Sequence, residues 1–157
     1  ILANTFKTIQ RFAKYMKKAG TKPEIEIYDL GGLCNIKFLN IQEGLLDEPL
    51  HFQFVFGVLG GVPFSARNLS LFLDTIPPGS TWSVCGVASQ QFQAGLCAAA
   101  LGGHIRVGLE DNIRAITGEL AKGSWEQVEW ASKVAEVAGR EVATPDETRK
   151  ILNLYQQ

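Results

Sequence analysis

His104-Ile105-Arg106-Val107-Gly108-Leu109-Glu110-Asp111-Asn112 is the stretch whose reading decides the fold. Ile105, Val107 and Leu109 share one parity, and His104, Arg106, Gly108 and Glu110 share the other. Period-two alternation predicts a strand with one apolar face under helices and one polar face turned inward. Arg106 and Glu110 would lie on the same face, two pleats apart, with Asp111 opening the next loop. Charged groups at the carboxyl end of a strand are where α/β barrels do chemistry. The alternative is a structural ion pair that only closes the strand end.

Working outward, the same pattern recurs. Glu24 to Asp29 alternates, with Glu24, Glu26 and Tyr28 on the polar parity. Leu50 to Gly57 sets Phe52, Phe54 and Phe56 against His51, Gln53 and Val55. Thr81 to Gly86 sets Trp82 and Val84 against Thr81, Ser83 and Cys85. Between these runs the spacing predicts helices. Asn4 to Ala19 carries an apolar stripe of Phe6, Ile9, Phe12, Ala13 and Met16, with Thr5 as N-cap and Gly20 as stop. Leu33 to Glu43 follows a Gly31-Gly32 turn. Ser65 caps Ala66 to Thr75, Gln90 to Leu101 is alanine-rich, Ser124 caps Trp125 to Ala138, and Thr144-Pro145-Asp146-Glu147 opens a last short helix.

Strict alternation of strands and helices with short connections requires a parallel sheet. A doubly wound sheet, covered on both faces, would be apolar on both parities. One polar parity fits the interior of a barrel. A complete (β/α)8 TIM barrel takes roughly 250 residues, so four strands and a stub at Ile1-Leu2-Ala3 amount to about half of one. Half a barrel leaves open sheet edges, which predicts that the chain is not a stable monomer by itself.

Composition narrows the function classes. The chain has 157 residues, 46% of them hydrophobic and 20% charged, and a net charge of -1, as expected of one soluble domain. The one basic run, Lys14 to Lys18 with Lys22, reads as a solvated helix face, so nucleic acid is not expected as a partner. No segment has the length of a membrane span, and the start lacks the pattern of a signal peptide. Cys34, Cys85 and Cys97 are odd in number and widely spaced, which predicts free thiols and a cytoplasmic location.

The candidate sites are few. Gly57-Val58-Leu59-Gly60-Gly61-Val62-Pro63 joins a strand to a helix and could cradle phosphate, but it lacks a Walker lysine and equally fits a tight turn. His51 and His104 begin their strands, at the structural end of a barrel. Glu110 could ligate a metal, but no partner with suitable spacing accompanies it. Ser83 and Cys85 have no histidine in pattern with them, so a Ser-His or Cys-His nucleophile is not expected. Cys85 reads as a small buried hydrophobe, and Trp82, Trp125 and Trp130 as packing residues.

The run from Gly102 to Asn112 closely resembles the signature of the β-keto acid cleavage enzymes. Asn4-Thr5 is similar to the family's end of strand four, and Lys22-Pro23-Glu24 with Glu26 and Asp29 to its strand five. Phe54 to Val58 with Gly60, Gly61 and Pro63 resembles strand six and its loop, and Pro78 to Val84 resembles strand seven. Gly139-Arg140-Glu141, Ala143-Thr144-Pro145 and Arg149 resemble its tail. The resemblance implies a (β/α)8 barrel of which residues 1–157 form the C-terminal half, from the end of strand four to helix eight. It implies condensation of a β-keto acid with acetyl-CoA to give acetoacetate and a new CoA thioester.

The resemblance also implies roles. Glu110 would be a carboxylate ligand of Zn2+, and Asp111 a general base oriented by Arg106. Asn4 and Thr5 would line the substrate pocket, Gly57 and Gly60 would border the substrate or CoA entry, and the protein would be a homo-oligomer, a tetramer. Some positions depart from the pattern. The family's other zinc ligands are a His-x-His pair in the first half of the barrel, and this chain has no His-x-His. Ala88 and Ser89 stand where the family usually has glycine and arginine, Gly32 where a histidine is common, and Trp125 where an asparagine follows the serine. These departures keep two further readings open: a degenerate or partial barrel that binds a ligand or partner chain without turnover, and an aldolase-like barrel that binds phosphate through the glycine loop.

Overall fold

A computed structural model describes residues 4–154; the strand stub expected at Ile1-Leu2-Ala3 lies outside them. In chain order the elements are α1 (Phe6–Lys18), β1 (Ile25–Ile27), α2 (Leu30–Glu43), β2 (His51–Phe56), α3 (Ala66–Thr75), β3 (Thr81–Gly86), α4 (Gln90–Ala100), β4 (His104–Arg106), α5 (Ser124–Val137) and α6 (Pro145–Ile151). The strands form one sheet in the order β1-β2-β3-β4, and every pairing is parallel. The alternating α/β organisation expected from the sequence is therefore present.

The apolar parity makes the core. Phe52, Phe54 and Phe56 are fully buried, and they meet Leu33 of α2, Leu69 and Phe72 of α3, and Ala94 and Ala98 of α4. Phe54 stacks on Trp82 (ring centroids 6.1 Å apart) and meets Phe72 edge-on at 5.3 Å. Burying one such side chain contributes about 1.5–3 kcal/mol, so this row carries much of the sheet's attachment to its helices. Small residues let α4 approach closely: a Cβ on Gly95 would meet the Trp130 ring at 2.9 Å and Ile105 at 3.0 Å.

The polar parity is turned to the opposite face. There Gln53, buried between strands, lies with its amide nitrogen 2.8 Å from Ser83 Oγ and 3.2 Å from Glu24 Oε1, while its oxygen accepts from the Cys85 amide at 3.1 Å. A cavity of about 350 Å³ separates this row from Thr148, Ile151 and Leu152 at the end of the chain, and the Leu152 carbonyl accepts from Lys22 Nζ at 2.6 Å. A sheet with helices on one face and a satisfied polar row on the other is what a barrel wall requires.

Local capping explains several boundaries. Thr5, Ser65 and Thr144 each accept a backbone N–H three residues on, and Thr144 with Glu147 completes a capping box. Other boundaries differ from expectation. Asp29 Oδ1 accepts from Gly32 N at 2.7 Å, so Asp29 caps α2 and draws Gly31-Gly32 into its first turn rather than leaving them as a turn. Ser124 does not cap α5. Its hydroxyl accepts from Leu109 N at 3.2 Å, and Gly123 takes the cap position. Trp125 is 59% exposed rather than packed, whereas Trp130 meets Phe92 edge-on.

The largest difference is in β4, which stops at Arg106 instead of running to Glu110. Arg106 pairs with Cys85, and β3 ends one residue later at Gly86. Gly86 lies so near the start of α4 that a Cβ there would meet the Gln90 carbonyl at 2.5 Å. The ladder thus runs out of partners, and the chain turns, with Asp111 N and Asn112 N both donating to Gly108 O at 3.1 Å. Glu110 is on a turn, not a strand face.

Candidate functional site

Arg106 ends β4 pointing from the polar face, and three carboxylates converge on it. Its Nε donates to Asp111 Oδ2 at 3.0 Å and its Nη2 to Asp111 Oδ1 at 3.3 Å. Nη1 donates to Glu26 Oε1 at 2.9 Å, and Nη2 also reaches Glu110 Oε2 at 3.2 Å. The fork on Asp111 fixes both oxygens of that carboxylate in one plane. Burial works against the guanidinium charge, but the hydrogen bond to Asp111 and its negative charge outweigh it and push the Arg106 pKa further up. Arg106 is a permanent cation here.

The three acids differ in setting. The Asp111 side chain is 11% exposed, and that of Glu110 is 84% exposed. Glu26 lies between them, its Oε2 accepting from Tyr28 Oη at 2.9 Å. The phenol pKa of Tyr28 is raised by burial and by the bond and charge of Glu26. Cys85 faces Asp111, and burial, the Asp111 charge and a hydrogen bond to Asp111 push its thiol up to about 12. It is the buried neutral group expected.

The loop that carries Asp111 is braced from both sides. Ala88 N donates to Asp111 O at 2.8 Å, from a residue held at φ 52°. Asn112 exchanges bonds with the backbone of Arg114 at 3.0 and 3.1 Å. Buried Gln127, on α5, donates to Asn112 O at 2.5 Å and to Arg114 O at 3.0 Å. Beside Glu110 and Asp111 opens a cleft of about 650 Å³ walled by Ala88, Phe92, Leu109, Ile113 and Ile116.

Neither Glu26 nor Cys85 is given a role at the site by the sequence, which reads Cys85 only as a small buried hydrophobe. Both lie on the polar parity that the alternation exposes, but Glu26 is 80 residues from Arg106, and only the register of the sheet brings them together. Asn4 and Thr5 are exposed before α1, and the Thr5 hydroxyl serves as its N-cap, accepting from Thr8 N at 3.2 Å. The Gly57 loop is a tight turn. Gly57 N donates to Val62 O, Gly61 N to Val58 O and Val62 N to Tyr28 O, each at 3.0 Å. Phe64 N donates to Gln90 Oε1 at 2.5 Å. These amides are committed within the protein, which disfavours a phosphate cradle; the φ of 95° at Gly57 is what requires glycine.

The histidines stand at the opposite end of the strands, as the sequence places them. His51 Nδ1 lies 2.8 Å from Thr81 Oγ1, and the two imidazoles are 6.4 Å apart. Burial and then Lys22 depress the His51 pKa, outweighing Glu24 Oε1 at 3.5 Å from Nε2. Burial, Arg140 and His51 depress that of His104. A histidine that titrates lower when folded leaves the unfolded chain with more bound protons below its ordinary pKa of 6.5, so stability rises with pH through that window. The urea midpoint should therefore be lower at about pH 5.5 than at about pH 7.5, and the difference should shrink in a His51→Gln/His104→Gln variant. An unchanged difference would exclude this pair as the source.

No group of three or more His, Cys, Asp or Glu side chains able to hold a metal occurs among the described residues. Glu110 is exposed and free to turn an oxygen outward, so it fits a zinc ion as one ligand; the remaining donors would come from outside the described residues.

The β-keto acid cleavage enzyme family model matches residues 1–154. The chain belongs to that family. It is 45% identical, over 98% of its own length and 56% of the relative's, to the 3-keto-5-aminohexanoate cleavage enzyme of Fusobacterium nucleatum. It is 39% identical over the same shares to the enzyme of that name from Acetoanaerobium sticklandii. The 3-dehydrocarnitine:acetyl-CoA trimethylamine transferase of Rhizobium meliloti is 32% identical over 98% of this chain and 51% of its own length. The chain thus spans about half the length of the curated family members it matches. The apo structure of ObcA superposes with a TM-score of 0.81 at 18% identity, over 96% of this chain and 40% of ObcA. That likeness is one of fold, and its coverage agrees with part of a barrel.

Proposed function

We propose that the protein carrying this chain condenses a β-keto acid with acetyl-CoA and releases acetoacetate and a new CoA thioester. The chain would be the C-terminal half of a single (β/α)8 barrel, from the end of strand four to helix eight. The observation that carries the reading is Asp111: a mostly buried carboxylate, held at both oxygens by one arginine, beside a cleft at the carboxyl end of a parallel sheet. A carboxylate so fixed is a general base for the C–H between keto and carboxylate groups. The carbanion formed attacks the acetyl carbonyl and expels the CoA thiolate. Attack of the thiolate on the original keto carbon then breaks the bond to that carbon, and the acetoacetate carbanion that leaves takes back the proton Asp111 had removed. Arg106 holds Asp111 aimed through both steps.

Zinc, bound through Glu110 and ligands outside the described residues, would supply polarisation of the keto oxygen. Asn4 and Thr5 would contact the substrate, and the turn at Gly57 and Gly60 would border its entry. Free cysteines and the family's acetyl-CoA chemistry support a cytoplasmic location, and the family resemblance alone suggests a homo-oligomer, a tetramer. No helix among the described residues is long and apolar enough to cross a membrane.

The test supplies the purified, zinc-replete protein with acetyl-CoA and a panel of 3-oxo acids, and follows acetoacetate and the new thioester. Equal amounts of the two products are expected, with zinc measured by elemental analysis and lost in Glu110→Ala. A second reading, binding without turnover, is favoured by Ala88 and Ser89 at positions where the family usually has glycine and arginine. Calorimetric binding of a 3-oxo acid with no acetoacetate formed would replace the first reading by the second.

A further inference from the structure

Asp111 is held at two points. Its backbone carbonyl is held by Ala88 N at 2.8 Å, and its carboxylate is gripped by Arg106 at 3.0 and 3.3 Å. Next to them is Cys85, which is fully buried and sits directly opposite Arg106 in the β3–β4 ladder. Neighbours in a parallel ladder point their side chains to the same face, so the thiol and the guanidinium approach Asp111 from adjacent strands. Two donors on one rigid fork leave a carboxylate able to swing with the arginine that holds it. A donor on a separate strand removes that freedom.

We propose that Cys85 is a positioning residue for Asp111, its S–H donating to the carboxylate and fixing the orientation from which Asp111 takes the substrate's proton. The inference rests on the reading of Asp111 as the base. It also gives the cysteine a defined chemical state. Burial and the neighbouring carboxylate keep the thiol protonated far above neutral pH, so it acts as a donor and not as an acyl-accepting nucleophile. Cys85 therefore does not compete with CoA for the acyl group, although a thiol beside a thioester-forming site could otherwise do so.

The test uses the full-length protein and two substitutions. Cys85→Val keeps a similar volume and removes the donor; Cys85→Ser keeps a donor. The Cys85 S–H stretching band, isolated as the native-minus-Cys85→Val Raman difference, is expected at the lowered frequency of a strong donor and should rise in Asp111→Asn. In steady-state assays Cys85→Val should lose about tenfold in kcat with KM changed less than about twofold, and Cys85→Ser should recover most of the loss. A band that ignores Asp111→Asn overturns the proposal, as does native kcat in Cys85→Val. Should the native protein turn over no 3-oxo acid, the base and its positioning residue fall together. A band that still responds to Asp111→Asn would separate that failure from a thiol that never met the carboxylate.

Discussion

Asp111→Asn is expected to lower kcat by about 10³-fold while leaving KM within a few-fold of native. The amide matches the carboxylate in size, so the loop should keep its shape: Ala88 N and Asn112 hold the backbone, not the side chain. What changes is chemical. An amide cannot accept a proton from carbon at neutral pH, and its NH₂ would face the N–H groups of Arg106 where an oxygen now accepts. Single-turnover assays with saturating keto acid and acetyl-CoA isolate the proton-transfer step. Turnover within about threefold of native would mean that Asp111 is only the anchor of an ion pair.

Arg106→Met is expected to cost about 2 kcal/mol of stability at neutral pH and to abolish turnover as well. Removing one partner of a buried pair costs about 3–5 kcal/mol, but the Arg106 side chain is 29% exposed and solvent screens part of the loss. Methionine fills the space of the stem and leaves Asp111, Glu26 and Glu110 facing one another without a cation. The deficit should narrow as the pH falls, because protonating a carboxylate removes an unpaired charge. Urea midpoints for native and variant proteins at neutral and acid pH measure this directly, and a deficit that stays constant with pH would assign it to packing. Arg106→Lys should rescue stability better than turnover, since a single ammonium cannot reproduce the fork on Asp111.

These residues also mark how far the sequence can be read. Alternation along Leu50 to Gly57 and caps such as Ser65 and Thr144 are local, and the structure has them where the spacing puts them. The polar parity is local too, and it points to Arg106 and its neighbours. Where the outcome depended on a distant partner, local pattern misled or was silent. The length of β4 is set by where β3 ends, not by Val107 or Leu109. Ser124 looks like a cap until Leu109 N is seen to donate to it. Glu26 and Cys85 join the site through sheet register alone. The resemblance to the cleavage enzymes assigns roles to Glu110 and Asp111 directly, because it spans that stretch residue by residue.

The brace formed by Asn112, Arg114 and Gln127 divides the mouth into two parts. Everything up to Asp111 is tied to the sheet, to β3's loop and to α5. Beyond Arg114 the chain forms a short antiparallel excursion closed by the Arg114–Leu120 bridge, with Ile116 and Leu120 exposed on it. Changes in length or side chains there reshape one wall of the cleft without passing strain back to the carboxylate. On the proposed reading, the residues that would set reactivity are thus kept apart from a segment of the cleft wall that can change without moving them.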